Sequence, residues 1–580
     1  MAKGNIEVHT QNIFPIIKKW LYSDKDIFIR ELVVNACDAI TKVQKLRSVG
    51  EAEVEGDDFK INVRCDKDAK TITITDNGIG MTEDEVNKYI NQLAFSGAEE
   101  FLSKYQGKDE KSQIIGHFGL GFYSSFMVSD VVDIITKSYK DEPAVMWSCD
   151  GGIEYEITPS DKTERGTQIV LHITEGEEEF LEPFKLKSIL LKYCGFLPYP
   201  VYIDDDGEPI NDTDPLWNKA PSDCTDEQYK ELYHRVFSDF SDPHFWIHLN
   251  VEFPFALKGI LYFPKLTHEF ESAEGQIKLF NNQVFVADNI KEVTPEYLML
   301  LKGVIDCPEL PLNVSRSFLQ NDGYVTKISA HITKKVADRI VALAKEKKDE
   351  FDGCWDDISP FIEYGCIRDE KFYGKIKPIL QARTTDGDFV KITEFAEQNN
   401  KEITYVSDKQ QQAQYIKILK ENGKAGLVMP HVIDTHFISM LEMKEGYKFT
   451  RIDTVPHDTK DDEGLIELFK AVVGDDELKI TTSSMKTDLP AIIVEDEQSR
   501  RMSDTMKMFG GGFTQPKVLT LVLNTDSNVV QALSDMSDEE NRQMLCKQIY
   551  DIARMCHCPL SGDDMSEFVE RSTKLLEKII

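Results

Sequence analysis

Four polar side chains form a narrow stripe on a predicted helix near the start of the chain. Residues 27–47 carry apolar side chains at helical spacing, which predicts a helix with one face against a core. Glu31, Asn35, Asp38 and Lys42 follow one another at intervals of four, three and four residues, so they share a line beside the apolar face. Such a stripe is either a solvated helix edge or a row of carboxylate, amide and ammonium groups that faces a ligand. The other polar motifs bear on this choice.

A second motif places a carboxylate and two glycines directly after a predicted strand. Residues 71–75 alternate as a strand does, and they run into the loop 76–80. The Asn-Gly pair in this loop is typical of a hairpin turn. A capping box formed by Thr82 and Glu85 instead predicts a helix after the loop. On such a loop Asp76 can accept a hydrogen bond from a ligand amine, and the glycines allow close approach of the backbone.

A third motif is a turn with three glycines in six residues, Gly116, Gly119 and Gly121. It opens into a helical pattern, and its free N–H groups can bind a phosphate, although tight packing alone would also explain it. Residues 146–157 and 166–173 then alternate as the strands of an antiparallel sheet. Together these elements predict an α/β sandwich that holds its ligand between the helices and the sheet.

Composition restricts the class of protein. The 580 residues suggest about three or four domains. A net charge of −34 disfavours nucleic acid and anionic membranes as partners, because both bind mainly Lys and Arg. Neither a stretch long and apolar enough to span a membrane nor a secretory leader is evident, so a cytoplasmic location is the default prediction. The 11 cysteines, mostly isolated, predict buried free thiols.

Four motifs in register resemble those of the GHKL ATPases. They lie at residues 31–38, 76–82, 116–122 and 165–167. Along essentially its whole length the chain resembles, more closely, the ninety-kilodalton heat-shock protein chaperones of the bacterial HtpG type. The resemblance implies an α+β multidomain protein. Its expected parts are an N-terminal GHKL (Bergerat) α/β sandwich at 1–208, an α/β/α middle domain at 216–454 and an α+β C-terminal dimerisation domain at 455–580.

The resemblance also implies a function. We expect a cytoplasmic, homodimeric molecular chaperone of the stress response that binds unfolded or partly folded client proteins. ATP hydrolysis, with Mg²⁺, would drive its conformational cycle. One alternative is another GHKL ATPase, of the DNA topoisomerase or mismatch-repair type, although no clustered basic stripe suits DNA. Another is a nucleotide-sensing scaffold that does not hydrolyse ATP. Phe95, which stands where a lysine that contacts phosphate is common, keeps this alternative open.

Residue roles follow from the same resemblance. Glu31 is expected to activate water, and Asn35 to give an amide oxygen to the Mg²⁺ ion that ATP carries. Asp38 is expected to line the pocket. Asp76 would take the adenine amino group, supported by the hydroxyl of Thr167. The other expected nucleotide-binding residues are Gly80, Met81, Asn91, Gly119, Gly121 and Phe122, the last three through backbone N–H groups to the phosphates.

Two further residues are expected to complete the catalytic site from the middle domain. The loop at 310–321 resembles the catalytic loop of the chaperone family. In that loop Arg316 would reach the γ-phosphate of ATP and Gln320 would assist it. Read without the resemblance, Arg316 is a surface or salt-bridging arginine.

The C-terminal part carries two apolar segments. The last helix is predicted to place an apolar stripe on one side, which either docks on its own domain or pairs with a second copy. The stripe consists of Met565, Phe568, Val569, Leu575, Leu576 and Ile579. Residues 502–513 are rich in methionine and glycine, which suits either a client-binding surface or core filling.

Overall fold

The computed structural model describes residues 24–578 apart from several segments. These segments are 93–94, 96, 106–113, 117–118, 153, 205–206, 254, 266–275, 289–294, 296, 298–300, 311, 314–322, 455–461, 476, 486 and 497–518. The chain divides into two compact units, Met1–Thr333 and Lys334–Ile580. The three-domain division expected from the sequence stays a prediction.

A seven-stranded sheet forms the first part of the first unit. Its strands are β1 (Ile61–Asp66), β2 (Thr71–Asp76), β3 (Ser129–Lys137), β4 (Val145–Cys149), β5 (Tyr155–Pro159), β6 (Gly166–Ile173) and β7 (Val201–Ile203). Their order is β5-β4-β3-β6-β2-β1-β7, and neighbours are antiparallel except β1 and β7, which are parallel. The accompanying helices are α1 (Ile27–Ser48), α2 (Glu83–Tyr89), α3 (Gly97–Tyr105), a 3₁₀ helix (Gly121–Met127) and α4 (Pro183–Cys194). This arrangement confirms the predicted α/β sandwich.

Helix α1 buries both its apolar face and part of its polar stripe. Phe28 and Leu32 are fully buried in the core, as the helical spacing predicted. Glu31 and Asp38 are also buried, with only 4% and 5% of their surface exposed. Because burying a carboxylate is costly unless other groups bind it, the stripe is not a solvated helix edge at these two positions.

A second sheet completes the first unit. It contains β8 (Phe245–Val251), β9 (Leu257–Phe263), β10 (Ile277–Asn281), β11 (Val284–Asp288) and β12 (Lys302–Asp306), in the order β11-β10-β12-β9-β8. Helix α5 (Asp226–Phe237) precedes it. The ring of Tyr193 on α4 lies 5.8 Å from that of Phe285 on β11, so α4 packs against this sheet. Strands β10 and β11 form an antiparallel hairpin around Asn281 and Asn282.

The second unit contains two further sheets and most of the helices. Helix α6 (Gly323–Glu346) has residues in both units. The other helices are α7 (Lys348–Arg368), α8 (Glu370–Ile376), α9 (Ile392–Gln398), α10 (Ala413–Glu421), α11 (Asp434–Glu445), α12 (Glu463–Val473), α13 (Asn528–Asp535), α14 (Glu539–His557) and α15 (Gly562–Glu577). The strands are β13 (Gln381–Thr384), β14 (Phe389–Lys391), β15 (Glu402–Val406), β16 (Leu427–Val428), β17 (Lys448–Arg451), β18 (Lys479–Ser483), β19 (Ala491–Glu495) and β20 (Leu519–Asn524). The two sheets have the orders β14-β13-β16-β15-β17 and β18-β20-β19.

Two carboxyl groups meet inside the second unit. Glu363 on α7 is 5% exposed, and Asp434, the first residue of α11, is 3% exposed. The Asp434 carboxylate accepts the His431 backbone N–H at 2.8 Å. Burial raises the pKa of Glu363 well above its usual value, and the charge of Asp434 and a hydrogen bond with it raise this pKa further. The folded chain therefore binds a proton at Glu363 more tightly than the unfolded chain does.

Replacing Glu363 with glutamine should flatten the dependence of stability on pH. A raised folded-state pKa gives stability that is full below the unfolded pKa of about 4.3 and is lost as the pH rises towards the folded pKa. The loss is at most about 1.4 kcal/mol per pH unit. Glutamine keeps a hydrogen-bond donor for Asp434 but does not titrate. In urea denaturation of the full chain between pH 6 and 8, the free energy of unfolding of the second unit should fall less steeply in Glu363→Gln.

A matched control is Glu397→Gln, because Glu397 is exposed on α9. This variant should follow the pH dependence of the wild type. Parallel curves for the wild type and Glu363→Gln would contradict the prediction.

Helix α15 lies at the surface of the second unit. None of its residues is buried, and Met565, Val569 and Leu576 expose 39%, 55% and 61% of their surface. Its contact with α14 is largely polar, as the ion pair between Arg571 and Asp551 illustrates. The alternative in which the apolar stripe docks on its own domain is therefore wrong for these three residues. Residues 502–513 and Ile579 lie outside the described residues.

Candidate functional site

A cavity of about 390 Å³ in the first unit brings together most of the polar residues that the sequence singled out. It is bounded by α1, the loop after β2, the turn before the 3₁₀ helix and strand β6. The predicted site residues that line it are Glu31, Asn35, Asp38, Asp76, Gly80, Met81, Gly119, Gly121, Phe122 and Thr167.

The Glu31 carboxylate is held in a fixed position by its neighbour in sequence. Arg30 is 1% exposed, and its Nε and Nη2 atoms both donate to Glu31 Oε1, at 3.0 and 2.8 Å. The Arg30 guanidinium also lies 5.6 Å from the centre of the Tyr193 ring. The other oxygen, Oε2, borders Gly121, where a Cβ atom would come within 2.5 Å of it. The pair thus presents a fixed carboxylate oxygen beside the glycine turn.

Asp38 anchors the chain that leads into the glycine turn. Its Oδ1 accepts the N–H of Ile115 at 2.8 Å, and its Oδ2 accepts the N–H of Gly116 at 2.6 Å. The carboxylate therefore connects α1 to the turn as well as lining the cavity. Lys42, one turn further along α1, also lines the cavity. Burial lowers the pKa of its ammonium group, and the Asp38 charge opposes that shift.

Asp76, the last residue of β2, is a buried hydrogen-bond acceptor. It is 7% exposed, and its Oδ1 accepts the Gly78 N–H at 2.7 Å. Burial raises the pKa of this carboxyl to about 7, while hydrogen bonds from the Gly78 and Thr167 backbones and the charges of Lys162 and Arg165 oppose the rise. A carboxylate in this position can accept a hydrogen bond from a ligand amine.

A hydroxyl network supports the wall next to Asp76. Thr167 pairs with Asp76 across β2 and β6, and its Oγ1 lies 3.0 Å from Oγ1 of Thr136 on β3. The same Thr136 oxygen accepts the Met81 N–H at 2.9 Å. Thr136 is fully buried. It thus fixes both Thr167 and the loop after β2.

The loop after β2 needs glycine at defined positions. Gly80 has a φ of 66°, and a Cβ atom there would overlap the Lys137 carbonyl group. Arg165 donates to the carbonyl oxygens of Asn77 and Gly78, so it fixes the start of the loop. The capping box of Thr82 and Glu85 then starts α2, which confirms the strand, loop and helix order and excludes the hairpin alternative.

The glycine turn and an aromatic pair form the opposite wall. Gly119 has a φ of 63°, and a Cβ atom there would overlap the Phe95 backbone. Gly121 starts the 3₁₀ helix. The rings of Phe95 and Tyr89 stack with their centres 6.0 Å apart, and both residues line the cavity. The cavity wall at Phe95 is therefore aromatic, whereas the family commonly has a lysine at this position.

Some residues of the site differ from the sequence expectation or were missed by it. Asn91 is turned away from the cavity wall: its Nδ2 donates to Asn87 at 2.9 Å and its Oδ1 accepts from Trp147 at 2.9 Å. Arg316 and Gln320 lie outside the described residues. Sequence reasoning missed Arg30 and Thr136. The alternation of β3 alone could have indicated Thr136, whereas an arginine in an otherwise apolar helix gives no comparable indication.

Other features of the described chain agree with the composition. All 11 cysteines are free thiols. None of the helices in the described ranges is long and apolar enough to cross a membrane. Within the same ranges, no group of three or more His, Cys, Asp or Glu side chains is arranged to hold a metal ion.

A largely antiparallel sheet accompanied by helices, with a buried acceptor and a glycine turn at one cavity, is the arrangement expected of a GHKL-type ATPase domain. Residues 24–167 match the family described as histidine kinase-, DNA gyrase B- and HSP90-like ATPase. Residues 203–580 match the family described as Hsp90 protein. The chain therefore belongs to the Hsp90 family of ATP-dependent molecular chaperones. This decides against the topoisomerase and mismatch-repair alternatives.

Curated relatives extend this similarity over nearly the whole chain. The chaperone protein HtpG of Porphyromonas gingivalis is 43% identical over 573 residues, which cover 91% of this chain and 84% of the relative. HtpG of Bacteroides thetaiotaomicron is 42% identical over 580 residues, 92% of this chain and 85% of the relative. HtpG of Psychromonas ingrahamii is 33% identical over 613 residues, 96% of each chain.

Proposed function

We propose that the cavity of the first unit binds ATP with adenine at Asp76 and the phosphates at the glycine turn. The observation that carries the proposal is that a buried carboxylate acceptor and the turn at residues 119–122 border one cavity. Thr167 and its partner Thr136 support the adenine end. At the other end, backbone N–H groups of Gly119, Gly121 and Phe122 face anionic oxygens, since an N–H-rich turn at a helix start binds phosphate.

Glu31 is the group that activates water. Its carboxylate borders the phosphate end of the cavity through Gly121, and Arg30 prevents it from turning away. A general base must lie within hydrogen-bond reach of the water that it deprotonates, and a fixed position makes that contact reproducible. Arg316 and Gln320, from the segment after Leu312, would stabilise the negative charge that develops on the γ-phosphate.

Mg²⁺ fits the donor set at this end of the cavity. Asn35 lies between Glu31 and Asp38 along α1, and all three residues line the cavity and carry oxygen atoms of the kind that Mg²⁺ prefers. Asn35 would hold the ion together with the phosphates of ATP. When bound, Mg²⁺ neutralises charge on the phosphate oxygens and makes phosphorus more susceptible to attack.

The chain acts as a homodimer that binds unfolded or partly folded proteins in the cytoplasm. The exposed apolar residues of α15 support pairing with a second copy, because such a stripe is buried in helix-bundle dimers. The net charge of −34 makes nucleic acid and anionic membranes poor partners. The segment 502–513 is a candidate contact for clients by its methionine and glycine content.

Suppression of aggregation tests this function. A thermolabile enzyme is heated with the full chain and Mg²⁺-ATP, and its light scattering and its later recovery of activity are followed. We expect less scattering and more recovery than without the chain, and a recovery that depends on ATP. Sedimentation velocity should give twice the chain mass of 66.2 kDa. A monomer that neither reduces scattering nor uses ATP would contradict the proposal.

A further inference from the structure

The turn between β10 and β11 adopts a backbone conformation that its residues do not favour. Asn282 and Gln283 have φ angles of 50° and 66°. This left-handed region is common for glycine and tolerated by asparagine, but it is unfavourable for glutamine. Such a conformation persists only where surrounding groups hold it. The groups that hold this turn belong to the end of β12.

The turn and the end of β12 are joined by hydrogen bonds in both directions. The Gln283 N–H donates to Asp306 Oδ2 at 2.9 Å, and Asp306 is only 5% exposed. The side-chain amide of Asn281 donates to the carbonyl oxygens of Cys307 and Pro308, at 3.1 and 3.0 Å. The Cys307 N–H donates to the Phe280 carbonyl oxygen at 3.1 Å.

These bonds fix the chain where it leaves the sheet. Asp306 is the last residue of β12, which is held between β10 and β9. The two carbonyl groups that accept from Asn281 belong to Cys307 and Pro308, which follow β12 and lie outside any strand. The Asn281 side chain therefore supplies the hydrogen bonds that a neighbouring strand gives within the sheet. Asn281 is itself 9% exposed, so water competes little for its amide. The direction in which the chain leaves β12 is therefore set by Asn281 and Asp306.

The chain that leaves β12 leads to the residues expected to act on the γ-phosphate. Arg316 follows Pro308 by eight residues, and Gln320 follows it by twelve. Because this connection is short, a change in the direction in which the chain leaves β12 is expected to displace Arg316 and Gln320. A displacement of about 1 Å at a reacting group can reduce the rate about 100-fold.

We propose that Asn281 and Asp306 are positioning residues for ATP hydrolysis, which act by fixing the start of the segment that carries Arg316. The proposal rests on the proposed role of Arg316. We expect neither Asn281 nor Asp306 to touch the nucleotide. Their effect is therefore expected on the rate at saturating ATP and not on ATP affinity.

The test is steady-state hydrolysis by the full chain with Asn281→Ala, alone and combined with Arg316→Ala. We expect Asn281→Ala to lower kcat about 10-fold and to change KM and the Kd for ATP less than twofold. In the Arg316→Ala background, adding Asn281→Ala should cause a clearly smaller fractional loss, because only Gln320 is then left to be positioned. Asn250→Ala, an exposed asparagine on β8 of the same sheet, should behave as the wild type.

Asp306→Asn provides a second, milder variant in case Asn281→Ala destabilises the sheet. It keeps an oxygen for the Gln283 N–H, so kcat should stay within about threefold of the wild type, whereas Asp306→Ala should match Asn281→Ala. Wild-type kcat in Asn281→Ala, or equal fractional losses with and without Arg316, would overturn the positioning role alone. Wild-type kcat in Arg316→Ala would overturn the proposed function of Arg316, and the positioning role with it.

Discussion

Replacing Glu31 with glutamine should abolish most ATP hydrolysis while leaving ATP binding nearly intact. Arg30 donates twice to Glu31 Oε1, at 3.0 and 2.8 Å, and an amide oxygen can accept the same two bonds. The NH₂ group then takes the place of Oε2 beside Gly121, where it cannot accept a proton from water. General-base catalysis contributes about 100-fold to 10,000-fold, so we expect a fall in kcat of at least about 100-fold.

This result is measured as steady-state hydrolysis by the full chain at saturating ATP, with ATP affinity determined separately. The Kd for ATP should change less than about threefold, because no charge that contacts the nucleotide is introduced or removed in this account. Glu83→Gln, at an exposed position in the first turn of α2, is the matched control and should keep wild-type kcat. A wild-type rate in Glu31→Gln would show that another group activates water.

Replacing Asp76 with asparagine should weaken ATP binding about 100-fold. The carboxylate already accepts N–H groups of Gly78 and Thr167, and an asparagine has one acceptor oxygen where the carboxylate has two. The NH₂ group would therefore face another donor, either a backbone N–H or the adenine amine. A buried donor left without an acceptor costs about 2–3 kcal/mol, which corresponds to a factor of roughly 30–160 in Kd.

The pH dependence of ATP affinity provides an independent check on Asp76. Its carboxyl has a pKa of about 7 in the ligand-free chain, and a protonated carboxyl loses an acceptor in the same way as the amide. The Kd of the wild type should therefore rise as the pH falls from 8 to 6, whereas that of Asp76→Asn should change little. Asp84→Asn, an exposed neighbour on α2, should follow the wild type in both respects. A pH-independent wild-type Kd would contradict this role.

The sequence was sufficient to predict the architecture of the nucleotide domain. Apolar spacing in α1, alternation in β2 and β6 and the capping box at Thr82 are local patterns, and local patterns determine which elements form. They also placed the stripe of α1 beside the core. Helix α1 begins at Ile27, as the spacing predicted, although the Asp26 side chain makes no capping hydrogen bond.

The parts of the site that the sequence did not predict depend on contacts between distant segments. Thr136 contacts Thr167 and Met81 only because β3, β6 and the loop after β2 are brought together by the sheet. Arg30 is buried because α4 supplies Tyr193 beside it. The Asn91 side chain likewise accepts a hydrogen bond from Trp147 on the distant strand β4, a contact that the sequence around Asn91 does not indicate. Alternation along a strand such as β3 can indicate that a residue is buried, but the sequence around that residue does not show which remote element covers it.

The most direct test of the account is a structure of the full chain with Mg²⁺ and a non-hydrolysable ATP analogue. We expect one nucleotide in the cavity of the first unit, with the adenine amine within hydrogen-bond distance of the Asp76 carboxylate. The phosphates should lie at the N–H groups of residues 119–122, close to Glu31. An analogue bound elsewhere, or bound in this cavity with adenine at the glycine turn and phosphates at Asp76, would contradict the assignment of the site.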